Sequence, residues 1–382
     1  MTIKKSLLNT INCCRNIFYR QYNPGCFNQQ DIKNVLIIRT DRIGDLVLSL
    51  PAIRELKRGR PEIKITMLVT DYTKELLGDS KIVDFTITVK QNLSFWEWAF
   101  FIMELRKVKY DLAIDMLFSR KLASAIFVFL SNSKIKLGYN TGIKSLLFNC
   151  RVDPGNIQQY EVERNFEPLK HLVDLKTVNK SLSLGCITPD FEYLNKLYAN
   201  KVINKNGRLL IAIHPGAYKN VKNRVWPKEY YAQLADKIID KYGAMVFFTG
   251  SQANGDRVLL RNISNTMKNK AFFVTEEVNL RQIYALYEIS DVFIGSFSGP
   301  LHLAAAAGAF TIVLGGPTPV KRWMPVGMKH TIVQADLLCV PCNDSVTCKR
   351  GDYACMRNIK VNDVFLALEK AVEAKKEKIN VG

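Results

Sequence analysis

The sequence predicts an α/β protein with two parallel-sheet domains, on three grounds. Short continuous apolar runs, such as Val35-Leu36-Ile37-Ile38 and Leu209 to Ile213, recur between segments of helical period, which is the pattern of strands buried on both faces. In the second half, every such run ends in a glycine-bearing loop. The length of 382 residues, with 48% apolar and 23% charged types, suits two domains of roughly 150 to 200 residues, each with its own core.

The first thirty residues carry Lys4, Lys5, Arg15 and Arg20 and no acid before Asp31. Leu7, Ile11, Cys14 and Phe18 share one helical face, opposite Asn9, Asn12, Asn16 and Arg20. This segment reads equally as a helix lying on an anionic membrane surface and as one docked on the protein's own body. From Asn34 the periodicity changes. Val35 to Ile38 is a strand, Thr40 to Gly44 a polar loop, and Asp45 to Lys57 a helix. Strands at Ile63 to Val69, Phe85 to Val89 and Leu112 to Asp115 follow, with a helix over Phe95 to Lys107. Weak patterning from Cys186 to Asn206 marks a hinge. A second series then begins, in which Leu209 to Ile213 leads into His214-Pro215-Gly216-Ala217 and Ala244 to Thr249 into Gly250. Val292 to Ile294 leads into Gly295-Ser296, and Thr311 to Leu314 into Gly315-Gly316-Pro317. The expected organisation is a basic segment 1–30, a domain 31–190 and a domain 205–382, the last helix free to pack back on the first domain. Ligands of open α/β sheets sit at the carboxyl ends of the strands, so these loops form the rim of a binding crevice, and two such domains facing each other make a cleft.

Net charge is +19, from 54 Lys and Arg against 35 Asp and Glu, which favours anionic partners such as lipid surfaces or phosphorylated small molecules. No zinc-finger spacing, arginine-rich run or aromatic RNA-binding signature accompanies it, so nucleic acid ranks third. No apolar run reaches the eighteen or more residues of a membrane span, the densest patch being Trp98 to Met103. The start lacks the apolar core of a signal peptide, and the expected location is the cytoplasm.

Ser298-Gly299-Pro300-Leu301-His302 follows a strand and opens a helix. Ser298 suits the N-cap, Pro300 sits where its missing N–H is harmless, and the free amides offer a phosphate hydrogen bonds and the positive end of the dipole. The plain alternative is a capped helix whose alanines pack on the sheet, with His302 a packed core histidine. His214-Pro215-Gly216-Ala217 is followed by Lys219, Lys222 and Arg224 before Trp226-Pro227, cations suited to a departing phosphate; a solvated basic loop is the alternative. Asp45 opens the first helix, where the dipole favours its ionised form, and an ionised carboxylate there can accept a proton from an attacking hydroxyl. The alternative is an acid that only complements the dipole. Motifs of dehydrogenases, nucleotide hydrolases and esterases are missing. Cys339, Cys342, Cys348 and Cys355 could hold zinc, but the spacing favours free or structural thiols.

Taken together these segments resemble glycosyltransferase family 9, the lipopolysaccharide heptosyltransferases. The matching pieces are Val35 to Arg39 with Arg42-Ile43-Gly44-Asp45 and Pro51-Ala52, and Tyr110 to Asp115. Further on come His214 to Ala217 with Trp226-Pro227, Asp291 to His302, Pro317-Thr318 and the late cysteines up to Cys355-Met356. They stand in family order across about residues 34 to 365. The resemblance implies two Rossmann-like domains facing a cleft, the GT-B arrangement. It implies an inverting, metal-independent transfer needing no cofactor, from a nucleotide-sugar donor, usually ADP-heptose, to a lipopolysaccharide core or lipid A precursor. By position, Asp45 resembles the catalytic base, with Arg224 at the leaving diphosphate. His214, Gly216, Lys222, Arg224, Gly250, Asp256, Ser298, Gly299 and His302 fall to the donor, and Arg42 and Gly44 to the acceptor. Phe297 stands where many members have an acid, and Asn254 where another acid is expected, with Asp256 a substitute. A nucleotide-sugar epimerase and an inactive membrane- or glycan-binding relative are the competing readings. The enzyme would work peripherally at the cytoplasmic face of the inner membrane.

Overall fold

The computed structural model describes residues 28–381 apart from 91–93, 120–121, 157, 175, 183–184, 201–206, 217–223, 252–253, 275–277, 326–328 and 343–346, with backbone alone at 254 and 376–381. The chain divides into two compact units between Lys180 and Ser181. Each contains a six-stranded sheet whose ladders are all parallel.

In the first unit β1 (Asn34–Ile38), β2 (Lys64–Thr70), β3 (Phe85–Val89), β4 (Tyr110–Asp115), β5 (Ser133–Tyr139) and β6 (Cys150–Val152) lie in the order β3-β2-β1-β4-β5-β6. In the second, β7 (Leu210–His214), β8 (Met245–Phe248), β9 (Phe272–Phe273), β10 (Val292–Ser296), β11 (Phe310–Gly315) and β12 (His330–Gln334) lie in the order β12-β11-β10-β7-β8-β9. Both orders trace one path, and both reverse between the first strand and the fourth. The reversal points therefore fall between β1 and β4 and between β7 and β10, and the carboxyl ends of those strands are where an open sheet binds ligands.

The central strands are apolar throughout because helices cover both faces: Val35 to Ile38 and Leu210 to Ile213 are all fully buried. The helices that matter for function are α1 (Ile43–Gly59), α2 (Phe95–Arg106), α3 (Ala123–Leu130), α4 (Glu161–Phe166), α5 (Lys228–Tyr242), α6 (Asn254–Thr266), α7 (Leu280–Glu288), α8 (Gly299–Ala306) and α9 (Val361–Val381). Local rules fix several ends. Ser94 and Glu97 form a reciprocal capping box at α2, and Asn279 and Gln282 form one at α7. Gly243 ends α5 in the left-handed region at φ 57°. α9 packs on α5, β11 and β12 within the second unit.

Two acids from the recurrent motifs turn out to be structural. Asp111 Oδ2 accepts from the amides of Lys33 (3.0 Å) and Asn34 (2.9 Å), and Asp291 Oδ2 accepts from that of Leu210 (2.8 Å). Each ties the start of a fourth strand to the start of the first, at the edge opposite the ligand-binding end. β5 escapes the apolar-run rule because Lys134 and Lys136 interrupt it; Lys136 is buried with its ammonium donating to Ser133 O at 2.6 Å.

Candidate functional site

In the first unit the site is built on Arg39, the residue after β1. Its guanidinium is fully buried and donates from Nε (3.1 Å) and Nη2 (2.8 Å) to the main-chain oxygen of Asp45, and from Nη1 to Met116 O at 2.7 Å. Arg39 thereby joins the loop after β1 to the loop after β4, across the reversal point. Beneath it, Lys144 and Asp115 form a fully buried ion pair at 3.1 Å. Asp115 also accepts from Leu117 N (3.0 Å) and Ser124 Oγ (2.9 Å), which pins the loop after β4. Arg164 of α4 lies over the Phe118 ring at 4.0 Å.

Asp45 occupies the first turn of α1, half-buried, with Gly44 buried before it and Arg42 exposed. The helix dipole, which favours the ionised form, is not the largest influence on this carboxyl. Burial pushes Asp45 above the usual carboxylate range; Arg39 opposes the rise, Glu161 adds to it, and Arg42 opposes it again. Desolvation inside this cluster outweighs the partial charge of a helix end. For a general base the change is favourable, since proton affinity moves toward the working pH.

Asp41, which sequence reasoning passed over as part of a polar loop, has its Oδ1 3.4 Å from Arg39 Nε. Burial raises its carboxyl to about 7, against the pull of Arg39 and with a further push from Asp45. A carboxyl raised by folding binds its proton more tightly in the folded chain than in the unfolded one. The stability it contributes is therefore present in acid, below its unfolded value, and lost as pH rises through about 7. Asp41→Asn is expected to raise stability at pH 8 by about 1–3 kcal/mol and to change little near pH 4. Thermal denaturation at the two pH values checks this, and a variant less stable than its parent at pH 8 would contradict it.

In the second unit His214 ends β7 and is buried. Its Nδ1 lies 3.0 Å from Thr249 Oγ1, which lies 2.8 Å from the Tyr287 hydroxyl. Burial lowers His214 to about 4 against the pull of Asp256, so the ring is neutral near pH 7 and supplies no positive charge to a phosphate. Asp256 Oδ2 accepts from the Ser251 amide (2.9 Å) and hydroxyl (2.6 Å) beside Gly250. A Cβ at Gly216 would stand 3.0 Å from that same oxygen, so glycine lets the carboxylate lie close against the loop after β7, and any side chain there would push it back. His214, Gly216, Gly250 and Asp256 thus form one side of the second reversal point.

The loop after β10 forms the other side. Ser298 occupies the N-cap position of α8, yet its hydroxyl donates to Ser296 O (3.3 Å) and makes no cap bond, which leaves the amides from Gly299 onward uncapped by it. Arg224 Nη1 donates to Phe297 O (3.2 Å), and Ser296 Oγ donates to Arg224 O (2.7 Å). The guanidinium is thereby fastened to the loop that opens α8. Trp226, fully buried, anchors this segment by donating to Ile359 O at 2.9 Å. The Phe297 ring is buried in the core, so the acid's place in the pattern is taken by a packing residue. His302 is buried one turn into α8, is lowered to about 4 by burial, and its Nδ1 has no partner among the described residues. Lys222 and Lys219 lie outside the described residues, as does the amphipathic face of Leu7, Ile11, Cys14 and Phe18. Among the described residues Cys339, Cys342, Cys348 and Cys355 form no disulfide, and no group of three or more His, Cys, Asp or Glu is placed to hold a metal ion.

A family model described as glycosyltransferase family 9 (heptosyltransferase) matches residues 98–353. The chain belongs to glycosyltransferase family 9. It is similar to lipooligosaccharide heptosyltransferase 2 of Campylobacter jejuni, at 24% identity over 333 residues, covering 85% of this chain and 93% of that protein. Among solved structures it is similar to the family 9 glycosyl transferase of Veillonella parvula, with a TM-score of 0.77 at 18% identity over 91% of this chain and 99% of that one. It is also similar to the ADP-heptose lipopolysaccharide heptosyltransferase II of E. coli, with a TM-score of 0.73 at 20% identity over 90% and 99%. The Rossmann-like units expected from the resemblance are those of this glycosyltransferase fold. Membership in family 9 makes the chain a glycosyltransferase and sets the epimerase reading aside.

Proposed function

We propose that this family 9 enzyme transfers a heptose, with inversion, from ADP-heptose to the inner core of lipopolysaccharide or its lipid A precursor. The first unit holds the acceptor and the second the donor. The observation that carries the reading is the pair of reversal-point loops: one presents a carboxyl of raised proton affinity, the other a guanidinium beside an open helix start. The names of the similar enzymes from Campylobacter jejuni and E. coli support heptose, ADP and the lipopolysaccharide acceptor.

In this reading Asp45 takes the proton of an acceptor hydroxyl, near Arg42 and Gly44, as its oxygen attacks the anomeric carbon. The bond from that carbon to the diphosphate oxygen breaks. The charge left on ADP meets Arg224, assisted by Lys222, and the amides that open α8. His214 and His302, both neutral, shape the donor loops, and Asp256 takes the place of the acid expected at Asn254. Work at the cytoplasmic face of the inner membrane fits the acceptor, and no helix among the described residues is long and apolar enough to cross a membrane.

Thermal shift with ADP, UDP and GDP tests the donor side. ADP is expected to stabilise the chain by about 2–3 kcal/mol at a hundredfold excess over its Kd. Stabilisation by UDP alone, or conversion of a nucleotide sugar without acceptor, would overturn the assignment.

A further inference from the structure

α2 is apolar on both faces. Its inner side packs Trp98 and Phe101 against Phe127 of α3, at ring distances of 5.7 and 5.4 Å. Its outer side leaves Phe95 78%, Trp96 79%, Phe100 63% and Met103 65% exposed. Trp96, Phe100 and Met103 are spaced by four and three residues, so they form one stripe, with Phe95 edge-on to Trp96 at 5.5 Å. A helix that is apolar all round is normally buried, and a contiguous aromatic patch of this kind marks a partner surface.

We propose that this face of α2 docks on an anionic lipid bilayer. Charge and area both select that occupant. The two apolar rows of the helix run into Arg106 and Lys107, with Lys109 just beyond, all exposed. The acids of the helix are engaged, Glu104 by Lys107 at 2.5 Å and Glu97 by the Ser94 hydroxyl (2.6 Å) and amide (2.8 Å) of the capping box. Arg106 and Lys109 remain as a basic rim beside aromatic side chains, the composition of an interfacial helix. A second copy of this chain is the weaker match. It carries the same +19 charge, and the four side chains offer roughly 500 Å² against the 800 Å² or so that each partner of a stable dimer contributes. The inference rests on the proposed function only in that a membrane-borne acceptor gives the docking a purpose.

The test uses the full chain and sedimentation with vesicles of phosphatidylglycerol and phosphatidylethanolamine that contain neither acceptor glycan nor donor. Binding is therefore scored apart from transfer. Trp96→Gln with Phe100→Gln is expected to lower partitioning on the order of 10- to 100-fold, while transfer to a detergent-solubilised acceptor stays unchanged. Trp96→Phe is expected to keep binding but lose most of the blue shift in emission that vesicles induce. The proposal is overturned if the double variant binds vesicles as its parent does, including the case where deleting residues 1–30 alone abolishes binding. It is equally overturned if the parent self-associates through this face, the double variant abolishing dimers and leaving vesicle binding intact.

Discussion

Replacing Asp45 by asparagine is expected to lower the transfer rate by about 100- to 10,000-fold, the range typical of losing a general base. The substitution isolates the chemistry. Arg39 grips the main-chain oxygen of Asp45 and not its carboxylate, so the two hydrogen bonds that shape the loop survive. Because burial already disfavours the ionised carboxyl, a neutral amide of the same shape leaves stability unchanged or raised. The parent enzyme should gain activity with rising pH as Asp45 loses its proton, with an inflection above the ordinary carboxylate range, and the variant should lose that limb. Steady-state kinetics across pH, with circular dichroism as the fold control, provide the check. A folded Asp45→Asn enzyme of full activity would remove Asp45 from the mechanism.

The largest stability effect is expected at Lys144→Met. Lys144 and Asp115 are both fully buried, and removing the cation strands a carboxylate in the core, which typically costs about 3–5 kcal/mol. For a unit of this size that corresponds to a fall in Tm of roughly 6–20 °C. Burial already raises the Asp115 carboxyl, with Lys144 the main opposing influence. The loss should therefore shrink toward acid pH, where Asp115 takes up a proton. Adding Asp115→Asn should recover much of the stability, because the amide no longer carries a buried charge. Calorimetry of the single and double variants decides it; equal damage in both would mean that the ion pair itself, and not the stranded charge, matters.

What could be read from the sequence was whatever local rules encode. β1, β7 and β10 are built on uninterrupted apolar runs, β3 alternates apolar residues with Thr86 and Thr88, and a strand, loop and helix in succession place Asp45 and Ser298 at strand ends without any knowledge of tertiary structure. The switch-point topology then makes those ends into sites. Other members of the site depend on contacts that no local rule reaches. Arg39 looks like the polar end of a strand, and its burial follows from carbonyls at Asp45 and Met116. Glu161, which helps raise Asp45, comes from a helix 116 residues further on. Asp41 has no periodicity to betray it. Arg224 meets the loop after β10 through the Phe297 carbonyl, and the segment that carries it is held by the Trp226 bond to Ile359 O. His214 was legible as a residue but not in its charge, since its neutrality depends on how deeply the carboxyl end of β7 is covered.

The most direct test is to incubate the purified full chain with ADP-heptose and heptose-deficient core lipid, and to follow the acceptor by mass spectrometry and released ADP by coupled assay. The account predicts a gain of one heptose per acceptor, one ADP released per heptose transferred, and an anomeric configuration opposite to that of the donor. ADP release without gain on the acceptor, transfer with retained configuration, or transfer only from a different nucleotide sugar would contradict it.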